Sequence, residues 1–352
     1  MAYTTINDPS AHFQIATYTG NGGSDRAIVN DGNSDMQPDW VWYKSRSHAT
    51  SHITYDSSRG DGPYLKPSDA GDEGTDAQMF ESFDSDGFSL NGDTDGNGSG
   101  RTYVAWQWKC NGGTTSSLSG NLDSVVQVNA AAGFSIVKYT GSGGNGQSVL
   151  HGLGLTPEVI ITKSRNADQS WHVYHKSIGN TKIIKLDTTA AQATSSDYSA
   201  AAVNSSAFFV STSLIYVGEL GADYVSYCFA PIKGYSKFGS YVGNGANNGP
   251  FVHCGFKPAF ILIKNIDATQ VWIMYDGARK PVNRDDNVAS IYASEVSAEY
   301  TGASYHNLDI LSNGFKIRLT DPSQNGSGVD YVYMAFAENP FVTSTGVPAT
   351  AR

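Results

Sequence analysis

Pro157-Glu-Val-Ile-Ile-Thr-Lys163 decides the fold because it occurs three times: Pro38-Asp-Trp-Val-Trp-Tyr-Lys44 precedes it and Pro258-Ala-Phe-Ile-Leu-Ile-Lys264 follows it. In each copy a proline stands six residues before a lysine, with an apolar run between them. Eight residues past each lysine come His52, Trp171 and Trp272, and eleven past come Tyr55, Tyr174 and Tyr275. Upstream, a tyrosine sits two residues before a glycine that opens a Gly/Asn-rich loop: Tyr18 and Gly20, Tyr139 and Gly141, Tyr241 and Gly243. Downstream, Phe88, Phe208 and Phe315 begin another apolar run, and each copy closes on a glycine three residues before a tyrosine (Gly100/Tyr103, Gly221/Tyr224, Gly328/Tyr331). Chance does not return one spacing at so many positions.

The step from Lys44 to Lys163 is roughly 120 residues and the next, to Lys264, roughly 100, too long for a solenoid repeat and right for a domain. Within unit two, short runs rich in Val, Ile, Tyr, Phe and Trp (FSIVKY, EVIITK, WHVYH, KIIKLD, FFVSTS, DYVSYCF) alternate with Gly/Asn/Asp/Ser clusters, and none keeps helical periodicity. The pattern predicts an all-β chain of three tandem antiparallel β-sandwich domains, jelly-roll or immunoglobulin-like in topology. The expected boundaries are 1–112, 134–233 and 234–340, with a linker over 113–133 in which SVVQV could add a strand, and a C-terminal tail over 341–352, either exposed or a contact arm. The long first junction predicts that unit one is set apart, whereas units two and three pack closely.

Composition agrees. Charged residues are 16% against a usual ~25%, so a long charged helix or coiled coil is excluded. Net charge is −10 with no basic cluster, which argues against nucleic acid as a partner. The start MAYTTINDPS has neither a basic n-region nor an apolar h-region, and no run reaches about 18 apolar residues, so neither a cleavable secretion signal nor membrane insertion is expected. Cys110, Cys228 and Cys254 are odd in number and widely spaced, predicting free thiols.

Candidate sites fare poorly against simpler roles. Trp40/Trp42 and Trp106/Trp108 would each share a strand face and could form a sugar platform, but they align with Val159/Ile161, Phe260/Leu262, Tyr227/Phe229 and Met334/Phe336, which predicts core. Gly141, Gly143 and Gly146 spell G-x-G-x-x-G, but no helix follows, so a hairpin turn is expected. Asp93, Asp95 and Asn97 space oxygens as a calcium loop would, and Gly98 takes the sixth position, but Val104 stands where an EF-hand requires Glu and no helix flanks the loop, so an ordinary turn is expected. His172 and His175 fall on opposite strand faces, which separates them as metal ligands. The adjacent acids Asp72/Glu73 and Asp285/Asp286 are expected to solvate loops rather than to cleave glycosides. No catalytic, cofactor-binding or metal residues are therefore predicted, nor any cofactor.

The string from Tyr139 to His175 also resembles a domain, of no assigned activity, that recurs in virion structural and tail proteins of tailed bacteriophages, especially marine ones. The resemblance rests on Tyr139-Thr-Gly141, His151-Gly-Leu-Gly154, Pro157, Lys163 with Arg165, and Trp171-x-Val-Tyr-His175. Unit three keeps the loop, Pro258, Lys264 and Trp272; unit one has His52 in the tryptophan's place and lacks H-G-L-G. The resemblance implies a non-enzymatic virion protein, assembled in the host cytoplasm as a symmetric homo-oligomer and contacting other virion proteins. A tail fibre or tail-tip component would also meet a host-surface glycan or protein. Capsid decoration or a vertex role is the alternative, and a secreted carbohydrate-binding or carbohydrate-active protein is a third reading.

Overall fold

The structure is a computed structural model that describes residues 3–198, 203–211, 216–279, 283, 289–301 and 306–350. The chain is nearly all β, built from antiparallel sheets; its only helical elements among the described residues are single turns such as Thr94–Asn97 and Pro322–Asn325. Each repeat contributes a large sheet with one strand order. The opening strand (Phe13–Thr19, Phe134–Thr140, Ser236–Val242) pairs with the closing strand (Thr102–Trp108, Asp223–Phe229, Asp330–Pro340). The closing strand pairs with the lysine strand (Trp40–Ser45, Val159–Ser164, Phe256–Asn265), and this with the strand beyond it (Ile53–Asp56, His172–His175, Trp272–Asp276). A second, smaller sheet in each repeat holds the strand begun by Phe88, Phe208 or Phe315.

The register repeats as well. Tyr18 lies opposite Tyr103, Tyr139 opposite Tyr224 and Tyr241 opposite Tyr331, and the rings stack with centroids 5.2, 5.1 and 4.9 Å apart. Two glycines of the frame are there for backbone reasons. At Gly20, Gly141 and Gly243 a Cβ would stand 2.3, 2.1 and 2.2 Å from the carbonyl oxygen of Gly98, Glu219 or Gly326, so the chains pass too close for any side chain. Gly100, Gly221 and Gly328 have open space but φ of 74°, 76° and 73°, in the left-handed region.

Both faces of the large sheets are buried, which is why the lysine strands read as continuous apolar runs. In units one and two alternate residues go to different cores, whereas in unit three Phe260, Ile261, Leu262 and Ile263 all join one. In unit one Val41, Tyr43 and Ala105 join Ile53, Tyr55 and Phe88 in a cluster of that unit alone; in unit two Val137, Ile160 and Tyr174 join Val149 and Phe208. The opposite residues enter a cluster shared by all three units: Trp40, Trp42, Trp106 and Trp108 from the first, Val159, Ile161 and Tyr227 from the second, Phe260, Leu262 and Phe336 from the third. The four tryptophans are at most 2% exposed. Trp40 stacks on Tyr227 at 4.3 Å and Phe13 on Phe336 at 5.4 Å.

Two expectations change and a third is narrowed. Unit one does not stand apart, because its tryptophan face is half of the contact with units two and three. The stretch 113–133, expected as a linker, is part of unit two's sheet: SVVQV does add a strand, Ser124–Asn129, beyond the opening strand, and Ser116–Leu118, which was not expected, pairs beyond that; the polar start hides the latter because Ser and Thr serve an edge as readily as a loop. The tail is held at its base: Val342 bridges Pro348, and Ser344 bonds the side chain of Asn7 at 2.7 Å.

Candidate functional site at the seams between repeats

The repeated residues converge where one unit meets the next. Lys44, Lys163 and Lys264 are fully buried. Each ammonium donates to backbone carbonyls: Lys44 to Ser45 and His48, Lys163 to Ala70 and Ala167, Lys264 to Thr189 (2.8 Å) and Gln270. Ala70 belongs to unit one and Thr189 to unit two, so the second and third lysines each clamp a loop of the preceding repeat. Burial lowers Lys44 and Lys163 to about 8, outweighing the opposing pull of Asp95 and Glu299 on the first and of aspartates such as Asp187 and Asp69 on the second, and lowers Lys264 to about 7.

The residues eight positions beyond do the same. Trp171 Nε1 donates to the carbonyl of Lys66 at 2.9 Å, Trp272 Nε1 to that of Lys185 at 2.8 Å, and His52 Nε2 lies 3.1 Å from that of Tyr292. His52 Nδ1 accepts from Trp42 Nε1, which places its proton on Nε2 and makes it the donor. Burial, then the neighbouring Lys44, keeps this ring neutral, well below the usual imidazole value. Unit two thus holds unit one, unit three holds unit two and unit one holds unit three, closing a ring. The histidine that departs from the tryptophan pattern performs the same bond.

Charge reinforces two of the three seams. Arg59, buried, bonds Asp56 (2.5 Å) and Glu73 (3.0 Å); Glu73 takes Arg165 of unit two at 2.8 Å, and Asp56 accepts from Tyr227 at 2.7 Å. Burial alone would raise Glu73, but hydrogen bonds from Arg165 and Arg59 hold its carboxyl below the ordinary value. Between units three and one, Arg279 bonds Asp276 (2.6 Å) and Glu299 (2.9 Å), Glu299 takes Arg46 at 2.8 Å, and Trp106 donates to Asp276. At the third seam His175 stands in the aspartate's place and lies 3.2 Å from the carbonyl of Tyr333, while its Nδ1 accepts from Ser177. Burial lowers it to about 4.

The sequence-derived candidates scatter around this frame. His172 turns away from His175 to pair with Asp197 at 2.5 Å and stack on Tyr216. His151 fixes its own loop, accepting from Leu153 and bonding the carbonyl of Asn204. The loop after Gly141 is no hairpin turn: it carries the chain to strand Gln147–Leu150 of the second sheet. Asp93 caps the turn Thr94–Asn97 by accepting from Asp95 N at 2.7 Å, and Asn97 is occupied with Asn21 and Gly23. Asp321 and Asn325 repeat that arrangement in unit three, tethering Asn244 and Ala246, an equivalence that the sequence reading missed; the shared Asp, Asn four residues on, and the Gly after it were the available signal. Glu73 sits in the charge cluster while Asp72 N bonds Asp168, and Asp285/Asp286 lie outside the described residues. Among the described residues no group of three His, Cys, Asp or Glu is placed to hold a metal ion, and no helix is long and apolar enough to cross a membrane.

Comparison with known proteins returns one family. No curated protein and no solved structure matches the chain. A family model described as a domain of unknown function, DUF7483, matches residues 8–340, spanning all three repeats from the turn before the first opening strand to the end of the last closing strand. The chain belongs to the DUF7483 family.

Proposed function

We propose that the chain is a non-enzymatic structural protein of a tailed-phage particle, its three repeats being three β-sandwich domains closed into a ring. The observation that carries this is the use made of the repeated polar residues. Lysine, tryptophan and arginine, which in an enzyme would face a substrate, are directed at backbone carbonyls and carboxylates of neighbouring repeats. Such groups stiffen a scaffold. Most of the residues that carry the resemblance to phage virion domains, Tyr139, His151, Lys163, Arg165, Trp171 and His175, are among these or hold adjoining loops. A composition poor in charge and rich in Ser, Gly and Asn suits contact with other virion proteins or a host glycan or protein, whereas the described tyrosines are buried or half-buried and serve the interior.

A tail-fibre or tail-tip position is the favoured placing. Antibody labelling and cryo-imaging of purified particles of the phage that encodes the chain test it. A few copies at the tail support it; hundreds over the head replace it with capsid decoration; absence from the particle overturns the reading. Turnover of a polysaccharide panel, abolished by substituting an acidic pair, would make the protein an enzyme instead.

A further inference from the structure

In unit two the opening strand does not end the sheet. Ser124–Asn129 pairs with it antiparallel, from Ser124 opposite Tyr139 to Asn129 opposite Phe134. Leu122 and Val126, both buried, fill the space between that added strand and Gln147–Leu150 of the second sheet; Leu122 bridges Val149, and the Ser124 hydroxyl donates to the Leu150 carbonyl at 2.8 Å. Unit one has the same two walls, and among the described residues no strand lies between them. Phe13–Thr19 is the last strand of its sheet. Beside it runs a cavity of about 540 Å³, lined along one side by Phe13 through Tyr18 and along the other by Arg26 through Val29, the counterpart of Gln147–Leu150, with the loop at Asp31 and unit three's Ala259, Ala278 and Glu338 completing the lining.

The open edge is ready for a strand. Gly20 N donates to Arg101 O, which sets the ladder so that Tyr18, Ala16 and Gln14 exchange their bonds with the closing strand. The N–H and C=O of Phe13, Ile15, Thr17 and Thr19 then point outward, as those of Phe134, Ile136, Lys138 and Thr140 do toward Ser124–Asn129. Unpaired edges of this kind recruit extended chain. The wall also carries Arg26 where unit two has Gln147: its Nε is buried with no hydrogen-bond partner among the described residues, in a cavity that Asp31 and Glu338 also line.

We propose that the edge Phe13–Thr19 accepts an extended segment of a partner protein. That segment pairs antiparallel with it, sets aliphatic side chains into the cavity at alternate positions, and directs a carboxylate at Arg26. Unit two supplies the template for such an occupant from its own chain. The groove is a feature of the free chain and does not depend on the phage setting.

The test uses the full-length protein and a capped peptide with the sequence of residues 122–129, LDSVVQVN, which carries the aliphatic alternation and one carboxylate. At about 1 mM peptide, an affinity range usual for short strands, we expect saturable binding and slowed amide exchange at Ile15 and Thr17, with no effect from a scrambled peptide. Ile15→Pro removes an outward N–H and leaves the bonds to the closing strand, so it lowers affinity roughly tenfold or more at unchanged melting temperature; Thr17→Pro is the second variant should the first fail to fold. Arg26→Gln weakens binding of this peptide but not of its Asp→Asn analogue. No protection of the edge at saturating peptide, or undiminished affinity in the folded proline variant, overturns the proposal. So does a concentration-dependent dimer that protects the same amides, since the occupant would then be a second copy.

Discussion

Trp171 spends its indole N–H outside its own repeat, on the carbonyl of Lys66 2.9 Å away. Phenylalanine would keep most of the ring's burial and remove the donor. Trp171→Phe is therefore expected to cost about 1–3 kcal/mol, the penalty for an unsatisfied buried carbonyl, and Trp171→Ala about 3–5 kcal/mol. Urea denaturation at neutral pH measures both. A loss below about 0.5 kcal/mol for Trp171→Phe would mean that the seam does not depend on this bond.

His175 gives the third seam a pH dependence. Burial lowers it from 6.5 to about 4, so the folded protein binds fewer protons than the unfolded chain between those values. Its stabilisation is present above about pH 6.5 and is lost as pH falls toward 4, at up to about 1.4 kcal/mol per pH unit. Melting temperatures from pH 7.5 to 4.5 should fall less steeply in His175→Gln, which keeps a donor for the Tyr333 carbonyl and cannot titrate. Parallel slopes would remove His175 as the cause.

Lys264 acts on the alkaline side. Burial lowers it from 10.5 to about 7, so the unfolded chain binds the extra proton across that window and stability rises with pH through it. Between pH 7 and 9 the gain should be on the order of 1–2 kcal/mol from this group, and Lys264→Met should flatten the rise. If the variant keeps the full slope, the lysine is not desolvated in the folded state.

Two glycines separate crowding from backbone angle. Gly221→Ala meets open space and should cost about 1 kcal/mol for its positive φ. Gly141→Ala places a methyl 2.1 Å from the Glu219 carbonyl and must move backbone, so the loss should be at least double. Equal losses in thermal denaturation would show that the loop yields without resistance.

The repeat, the all-β character and the burial of the four tryptophans are legible because aligned positions share side-chain class whatever the local sequence. What the spacing conceals is the partner. A tryptophan bonded to a carbonyl about a hundred residues away leaves no local pattern, and His52 looks like a lost tryptophan until its Nε2 is seen at Tyr292. Likewise Trp40 reads as core from its apolar counterparts, but a sheet buried on both faces has no alternation to say which face meets which neighbour. Gln147–Leu150 was missed because QSVL is too short and polar to announce a strand, and with it went the second wall of the unit-one groove.

A ring closed within one polypeptide is released from the rule that governs three identical subunits, where every substitution appears at every interface. Here each seam is encoded separately, so Asp56 and Asp276 can have His175 as their counterpart, and Trp171 and Trp272 can have His52, without disturbing the other two joints. The first repeat was thereby free to leave an edge bare that the second keeps covered.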